Sequence, residues 1–219
     1  MKTRILLSLL LGFVACGGGG GTDAGSGTKT LLVQAQVAWN AELQGAEIHV
    51  AVERAGANVE GANVVVHSDL GDVTLTLDHG NLGGGGDYVG VQAGWAGSYG
   101  LEVSAGDDHL SAAISAPEQM TLTAPDTATA IDAHQAANGI VTLRWSGSAA
   151  DSIRVRSKDF DYTGADQGHV DMPATLLKDS SQELSLRREN SVALAGGVAG
   201  STLSATCRSD FTLIVVNPY

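Results

Sequence analysis

The sequence is poor in the residues that small secreted domains use to reinforce their cores. Its 219 residues include two cysteines, four prolines and 5% aromatic residues, and its longest apolar run falls well short of the roughly 20 residues that a membrane-spanning helix needs. Basic residues are also scarce, with 12 Lys and Arg against 24 Asp and Glu, for a formal net charge of −12. An acidic surface of this kind opposes binding to nucleic acid and to anionic lipid headgroups.

Signature motifs of several enzyme classes are missing as well. The sequence contains no GxGxxG, GxxxxGK[ST], HExxH, GxSxG or CxxC. These patterns mark dinucleotide and phosphate loops, zinc proteases, hydrolase nucleophiles and redox sites. We therefore expect a protein that is not an enzyme.

The first residues have the features of a secretory signal peptide. Two basic residues, Lys2 and Arg4, precede an apolar run of about eleven residues from Ile5 to Ala15. A charged start, a short apolar stretch and a small residue at its end are typical of a cleaved signal. The sequence therefore predicts a signal peptide over residues 1–15.

Phe13-Val14-Ala15-Cys16 resembles the lipobox of bacterial lipoproteins, although the family usually has Leu where Phe13 stands. The resemblance implies that Cys16 becomes the mature N-terminus and carries acyl chains. Since Gly17 is not the Asp that retains such proteins at the inner membrane, the resemblance also implies an outer-membrane location. The alternative is conventional cleavage after Ala15 without lipidation.

A glycine-rich linker follows this cysteine. Residues 16–29 begin CGGGGGT and contain little apolar side chain to bury, so we expect a flexible tether between the anchor and the folded part. Once Cys16 is committed to lipid, Cys207 has no partner for an intramolecular disulfide. It lies in the segment STLSATCRSD, where we expect a small buried apolar residue.

Alternation of apolar and polar residues predicts an all-β fold. Segments such as AEIHVAVER, VTLRW, DSIRVRSK and QELSLRRE place every second residue on one side, and turn-forming clusters of Gly, Asn, Asp and Ser separate them. Many short strands at this spacing indicate antiparallel β-sandwiches. A composition change near Pro117 predicts two domains, over residues 30–117 and 118–219.

Short motifs in both halves resemble known sandwich modules. Gly61-Ala62 before Val64–Val66, and the later Ser98-Tyr99-Gly100-Leu101-Glu102-Val103, resemble bacterial Ig-like and carboxypeptidase-regulatory-like domains. GIVTLRWSGSAADSIRVRS resembles the second and third strands of fibronectin type III domains, with Trp145 as the core tryptophan. The resemblance implies two Ig-like β-sandwiches. It does not by itself give a function.

Asp and His side chains gather at several predicted turns of the first half. Calcium takes several oxygen ligands, which acidic loops supply, and zinc takes histidine. The spacing matches no known metal-binding loop, and polar turns of this kind are ordinary between strands. The candidate metal ligands are Asp78, His79, Asp107, Asp108 and His109.

A basic stripe stands out in the second half. Residues 30–117 carry eleven acidic residues and one basic residue, whereas residues 118–219 carry twelve acidic and eight basic ones. Arg154, Arg156 and Lys158 project from one side of a predicted strand, and Arg144 on the preceding strand is expected to join them. We predict either a solvated face balanced by nearby Asp residues, or a contact with the acidic first half or an acidic partner.

The three tryptophans are candidates for a sugar-stacking platform. Trp39 and Trp145 share a side with apolar neighbours, so we expect both in the core, and Trp95 in QAGWAGSYG is the candidate for exposure. Together these observations predict a non-catalytic, lipid-anchored envelope protein that binds, adheres to or scaffolds an unknown envelope or surface protein. The alternative is a cation- or ligand-binding accessory lipoprotein that uses the Asp/His loops.

Overall fold

The computed structural model describes residues 29–79 and 86–219. The predicted signal peptide, Cys16 and most of the glycine-rich linker therefore lie outside the described residues. Within them the chain forms seventeen strands and three short 3₁₀ helices. The prediction of an all-β fold built mainly of antiparallel strands is confirmed.

The first half of the chain supplies nine strands. They are β1 (Leu31–Asn40), β2 (Gly45–Arg54), β3 (Ala57–Asn58), β4 (Asn63–Ser68), β5 (Val73–Thr74), β6 (Thr76–Asp78), β7 (Asp87–Ala93), β8 (Ser98–Ala105) and β9 (Asp108–Ser115).

The second half supplies the remaining elements. The strands are β10 (Leu122–Ala124), β11 (Ile131–Asp132), β12 (Ile140–Trp145), β13 (Ser152–Arg156), β14 (Asp161–Gly164), β15 (His169–Pro173), β16 (Ser181–Ala193) and β17 (Thr202–Val216). The 3₁₀ helices span Ala133–Gln135, Ala137–Gly139 and Ala174–Leu176.

One large sheet runs through both halves, in the order β14-β13-β16-β17-β1-β2-β7-β6, with β3 and β11 attached. A four-stranded sheet, β5-β4-β8-β9, and a three-stranded sheet, β10-β12-β15, complete the structure. Buried side chains of the large sheet form one apolar cluster with the four-stranded sheet and a second with the three-stranded sheet. Each cluster is thus the hydrophobic core of a two-layer β-sandwich.

The buried sides of the strands follow from the alternation in the sequence. Ile48, Val50 and Val52 of β2 are all at most 2% exposed, whereas His49 between them is exposed. In the same way Val141, Leu143 and Trp145 face the second cluster from β12. Apolar side chains on one side of a strand can leave water together, which selects the side that faces the core.

The long hairpin of β16 and β17 joins the two sandwiches. Its thirteen paired positions extend from Ala193↔Thr202 to Ser181↔Ile214. Leu203 and Ala205 of β17 belong to the first cluster, while Leu213 of the same strand belongs to the second. The first cluster therefore includes residues far beyond the composition change near Pro117.

β17 also pairs with β1 in parallel, from Gln34↔Thr202 to Ala38↔Thr206. Beyond Thr206, β17 continues for ten residues to Val216, a distance of about 33 Å at the usual rise of a strand. Because the strands are parallel, this extension leads away from the start of β1. The second sandwich thus lies at the opposite end of the sheet from Lys29.

Candidate partner-binding surface

The outward side of β13, β16 and β17 carries a row of arginines. Arg154 on β13 lies opposite Arg187 on β16, and Arg187 lies opposite Arg208 on β17. Directly opposed side chains on neighbouring strands have their Cβ atoms about 5 Å apart. Arg187 and Arg208 could be placed beside Arg154 only with the strand register, which the sequence alone does not define.

Acidic side chains balance this row within the same half of the chain. Arg154 Nε and Nη2 lie 2.9 and 2.5 Å from the two carboxylate oxygens of Asp161. Further ion pairs join Lys158 to Asp179 at 3.1 Å, Arg187 to Glu189 at 3.4 Å and Arg208 to Asp210 at 2.9 Å. The predicted alternative of a solvated face with nearby Asp residues therefore describes this row well.

These contacts raise the pKa values of the basic partners and lower that of Asp161, so each shift favours the charged form. The hydrogen bonds from Arg154 hold the pKa of Asp161 below its ordinary value, and those to Asp161 raise the pKa of Arg154. The hydrogen bond to Asp179 likewise raises the pKa of Lys158. All of these groups remain charged at neutral pH.

Arg144 does not join this surface. It lies on β12, which pairs with β10 and β15 in the three-stranded sheet, whereas β13 pairs with β14 and β16 in the large sheet. The two strands follow each other in sequence but belong to opposite layers of the second sandwich. The expectation that Arg144 extends the stripe of Arg154, Arg156 and Lys158 was wrong for this reason.

A shallow groove of about 770 Å³ lies on the same outward side. Its charged lining residues are Arg156, Lys158, Arg208, Asp179, Glu183 and Asp210. Four of these six form the Lys158–Asp179 and Arg208–Asp210 pairs. Among the described residues, Arg156 and Glu183 make neither an ion pair nor a side-chain hydrogen bond. Arg156 nevertheless lies opposite Asp161 of β14, and its positive charge adds to the hydrogen bonds from Arg154 in lowering the pKa of Asp161.

A buried polar cluster underlies this surface. The side chains of Arg188 and Asp166 are 1% and 0% exposed, and Arg188 Nε donates to Asp166 Oδ2 at 2.5 Å. Asp166 also accepts from Trp145 Nε1 at 2.9 Å and from the backbone N–H groups of Gly168 and Ala150. Burial raises the pKa of Asp166, but these hydrogen bonds and Arg188 outweigh it, so the pKa is lowered overall.

Cys207 lies opposite Arg188 on β17 and is fully buried, as predicted. Burial raises the pKa of its thiol to about 11. A thiol with this pKa is almost entirely protonated at neutral pH and is therefore a poor nucleophile.

One candidate metal ligand has a structural partner. Asp108 is 1% exposed and accepts hydrogen bonds from Thr30 Oγ1 at 2.5 Å and from Arg54 Nη2 at 3.2 Å. Arg54 also donates to the carbonyl of Ala105, so the cluster ties β2 to the β8–β9 hairpin. Its neighbours are both exposed: Asp107 lies in the turn before β9, and His109 is the second residue of that strand.

The other candidate ligands lie elsewhere in the first sandwich. Asp78 ends β6 and pairs in register with Asp87 of β7, and His79 directly precedes residues 80–85, which are outside the described part. Over residues 29–79 and 86–219, no three His, Cys, Asp or Glu side chains come together in a group suited to a metal ion.

His67 lies between two carboxylates, Asp72 and Glu102, which come from separate segments of the chain. Its Nδ1 is 2.9 Å from Asp72 Oδ1 and its Nε2 is 3.5 Å from Glu102 Oε2. The two carboxylates meet opposite edges of the ring, so they do not converge on one point. The hydrogen bond with Asp72 raises the pKa of His67 above its ordinary value.

The tryptophans do not form a flat stacking platform. Trp145 is 5% exposed in the second cluster, as predicted. Trp39 and Trp95 are half-buried and meet edge to face, with centroids 6.3 Å apart and planes at 75°. Trp95 packs against the first cluster and donates from Nε1 to the carbonyl of Pro117. Its ring is thereby held in place at the junction of the halves.

Comparison with models of known protein families finds no match, and comparison with curated proteins finds no significant one. Among the described residues, no helix has the length and apolar character needed to span a membrane.

Proposed function

We propose that this chain is a lipid-anchored envelope protein of the outer membrane that acts as a non-catalytic binding or scaffold module. Cys16 carries the lipid, the glycine-rich segment is the tether, and the two sandwiches resemble Ig-like and fibronectin type III-like modules. The binding surface is the outward side of β13, β16 and β17, which contains the groove with Arg156 and Glu183.

The position of the groove relative to Lys29 carries the proposal. The tether joins the fold at the start of β1, and β17 extends the sheet by about 33 Å beyond its pairing with β1. A protein held to a membrane at one end exposes its other end to partners. The charged groove lies at that far end, on a side that no other described strand covers.

The charge pattern supports recognition of a partner by polar contacts. The side chains on this surface are balanced in sign, in contrast to the first half of the chain, where acidic residues greatly outnumber basic ones. Complementary charges at an interface give specificity and accelerate encounter more than they add affinity. We therefore expect binding at this surface to weaken as the salt concentration rises.

The anchor is tested by fractionation of cells that express wild type or Cys16→Ser, followed by protease treatment of intact cells. Membrane association of wild type alone supports the lipid anchor. Digestion on intact cells then places the binding surface outside the cell, and protection places it in the periplasm. Recovery of both forms in the soluble fraction contradicts the anchor.

The surface is tested by photo-crosslinking in cells. A crosslinking residue at the groove position Thr212 is compared with one at Ile140, which is exposed on β12 in the opposite layer. A crosslinked partner that forms from Thr212, does not form from Ile140 and is lost with Arg156→Glu supports the proposal. Equal crosslinking from both positions contradicts it.

A further inference from the structure

One edge of β17 has a gap between its two neighbouring strands. β1 pairs with β17 as far as Thr206, and β11 pairs with it from Val215 onwards. The eight residues 207–214 between these positions have β16 on one side and no described strand on the other. At the usual rise of a strand this gap is about 26 Å long. It therefore has the length of an additional strand.

The hydrogen bonds to β16 show which residues of β17 direct their backbone groups into the gap. In an antiparallel pair, directly opposed residues alternate between pairs that exchange backbone hydrogen bonds and pairs that do not. The N–H of Val215 donates at 2.9 Å to the carbonyl of Ser180, which continues the register opposite it, so the odd-numbered residues of this part of β17 bond to β16. The even-numbered residues, among them Asp210 and Thr212, therefore point their N–H and C=O groups away from β16.

The backbone groups of Asp210 and Thr212 are not paired with either neighbouring strand. β1 ends at Asn40, and a continued register would place the turn residues Glu42 and Gln44 opposite these two positions. That turn leads into β2 instead, and no described residue forms a backbone hydrogen bond with the gap-facing groups of Asp210 or Thr212. Unpaired N–H and C=O groups along a strand edge are a template for pairing with another strand.

The side chains along the gap indicate what kind of strand fits it. Phe211 packs against the second apolar cluster, yet it remains only half-buried at this edge. On the outward side, Arg208 and Asp210 form an ion pair with each other. Residues 207–214 include neither proline nor lysine, which often protect sheet edges from other strands. A strand with apolar side chains on the core side and uncharged polar side chains on the outward side matches this edge.

We propose that the gap along β17 receives an extended segment of a partner protein, of about six to eight residues, which adds a strand to the large sheet. Main-chain hydrogen bonds to Asp210 and Thr212 hold the segment, and its alternating apolar and polar side chains give specificity. This inference rests on the proposed function, because Asp210 and Thr212 also line the groove of the proposed binding surface.

The first measurement is amide hydrogen exchange, followed by NMR on the full chain in detergent. Phe211 and Leu213, whose N–H groups point to β16, are internal controls for Asp210 and Thr212 on the same strand. We expect the amides of Asp210 and Thr212 to exchange at least tenfold faster than those of the controls. Equally slow exchange of all four amides would show that the edge is already covered and would overturn the proposal.

The probe for strand addition is a capped hexapeptide with the sequence of residues 33–38, VQAQVA. In the structure, residues 34–38 of this segment already pair with the preceding part of the same edge. The control peptide has the same side chains but a methyl group on every backbone nitrogen, so it has no N–H to donate. On the protein, Thr212→Pro removes one donor from the edge, and Thr212→Val, which keeps the N–H, is the matched control.

We expect the VQAQVA peptide to slow amide exchange of Asp210 and Thr212 at least tenfold. Thr212→Pro should abolish the protection of Asp210, and Thr212→Val should retain it. No protection by VQAQVA overturns the proposal, as does equal protection by the methylated peptide. The methylated peptide is tested on the wild-type chain, so this comparison does not depend on the folding of Thr212→Pro.

A second copy of this chain is the other occupant that the measurement detects. Protection of Asp210 and Thr212 that rises with protein concentration in the absence of peptide would show that two β17 edges pair with each other. That result would overturn the assignment of the edge to a partner protein.

The outcome for strand addition is separable from the outcome for the proposed function. If VQAQVA gives no protection while crosslinking from Thr212 still depends on Arg156, strand addition is wrong and the proposed function stands. If the peptide protects the edge but Thr212 and Ile140 crosslink equally in cells, the edge accepts a strand and the proposed function fails.

Discussion

Arg188 and Asp166 form a buried ion pair in which Arg188 Nε lies 2.5 Å from Asp166 Oδ2. On β16, Arg188 follows Leu186 of the second apolar cluster, and Val192 further along the same strand packs against the first cluster. Arg188 also donates to the carbonyls of Glu118 and Gly147. Arg188 therefore links the buried Asp166 carboxylate to the backbone of two surface segments.

Replacing Asp166 by Asn should destabilise the protein strongly. The change removes the buried counter-charge of the Arg188 guanidinium, a loss that costs about 3–5 kcal/mol. Urea unfolding followed by tryptophan fluorescence measures the free energy of unfolding. Arg187→Gln, which removes the exposed pair with Glu189, is the control and should cost less than about 1 kcal/mol. Similar losses for the two variants would contradict the role of the buried pair.

The stabilising effect of Asp166 should also depend on pH. Since the pKa of Asp166 is lowered in the folded protein from an ordinary value of 3.8, its contribution is present above that value and is lost as the pH falls through the folded pKa. The difference in stability between wild type and Asp166→Asn should therefore shrink in acid. Unfolding curves at pH 6 and at pH 3 test this.

Gly147→Ala should be more destabilising than a comparable glycine substitution elsewhere. Gly147 has a φ of +101°, and an added Cβ would collide with Nη1 of Arg188. Gly56, with a φ of +78° and no neighbouring atom within 4 Å of an added Cβ, is the matched control. Backbone strain alone costs about 1–2 kcal/mol, so Gly147→Ala should exceed Gly56→Ala by displacing Arg188. If Gly147→Ala and Gly56→Ala unfold at equal urea concentrations, Arg188 moves aside without a loss of stability.

Asp108→Asn should lower stability whether or not calcium is present. The substitution weakens the buried acceptor for Thr30 and Arg54, and a buried hydrogen-bonding group left unsatisfied costs about 1–3 kcal/mol. Asp107→Asn, at the exposed neighbouring position, is the control and should change little. Melting curves with added calcium and with chelator make the comparison. A calcium-dependent rise in melting temperature that both substitutions abolish would instead favour the cation-binding alternative.

His67 should stabilise the protein at acid pH and not at alkaline pH. Its pKa is raised from the ordinary 6.5 by Asp72, so its contribution is fully present below that value and is lost as the pH rises through the folded pKa. An NMR titration of the His67 ring gives this pKa directly. In Asp72→Asn the pKa should move down towards the ordinary value, and an unchanged pKa would exclude Asp72 as its cause.

Cys207 should be inert towards thiol reagents in the folded protein. Its side chain is buried, and burial raises its pKa to about 11, so little thiolate is present at pH 8. The Cys16→Ser chain isolates this thiol for reaction with a disulfide reagent whose product absorbs light. We expect no reaction until denaturant is added, and rapid reaction in the native state would contradict the burial.

The strands themselves could be predicted because their determinants are local. In β2 and β12 the alternation of apolar and polar residues shows which side chains face the core, and the structure confirms both. The face that carries Arg154, Arg156 and Lys158 could be predicted in the same way. The period of a strand is two residues, so five to nine residues contain the signal.

The pairing of strands was not predictable from these patterns. Nothing in the local sequence of β1 indicates a parallel neighbour at the other end of the chain. The consecutive order of β12 and β13 likewise suggests that Arg144 lies beside Arg154, although the two strands belong to different sheets. The role of Asp108 was hidden for a similar reason, since its partner Arg54 lies on another strand. Strands that are consecutive in the sequence do not necessarily pair in the same sheet.

By itself, the sequence determined that this protein is acidic and built of half-buried strands. Only the tertiary structure decided that the β16–β17 hairpin joins both sandwiches, that Arg154, Arg187 and Arg208 form one row, and that Arg156 and Glu183 share a groove. The physical reason is that local patterns choose the buried side of each strand. The register of each strand and the choice of its neighbouring strands depend instead on contacts between segments far apart in the chain. These contacts form together as the hydrophobic cores assemble.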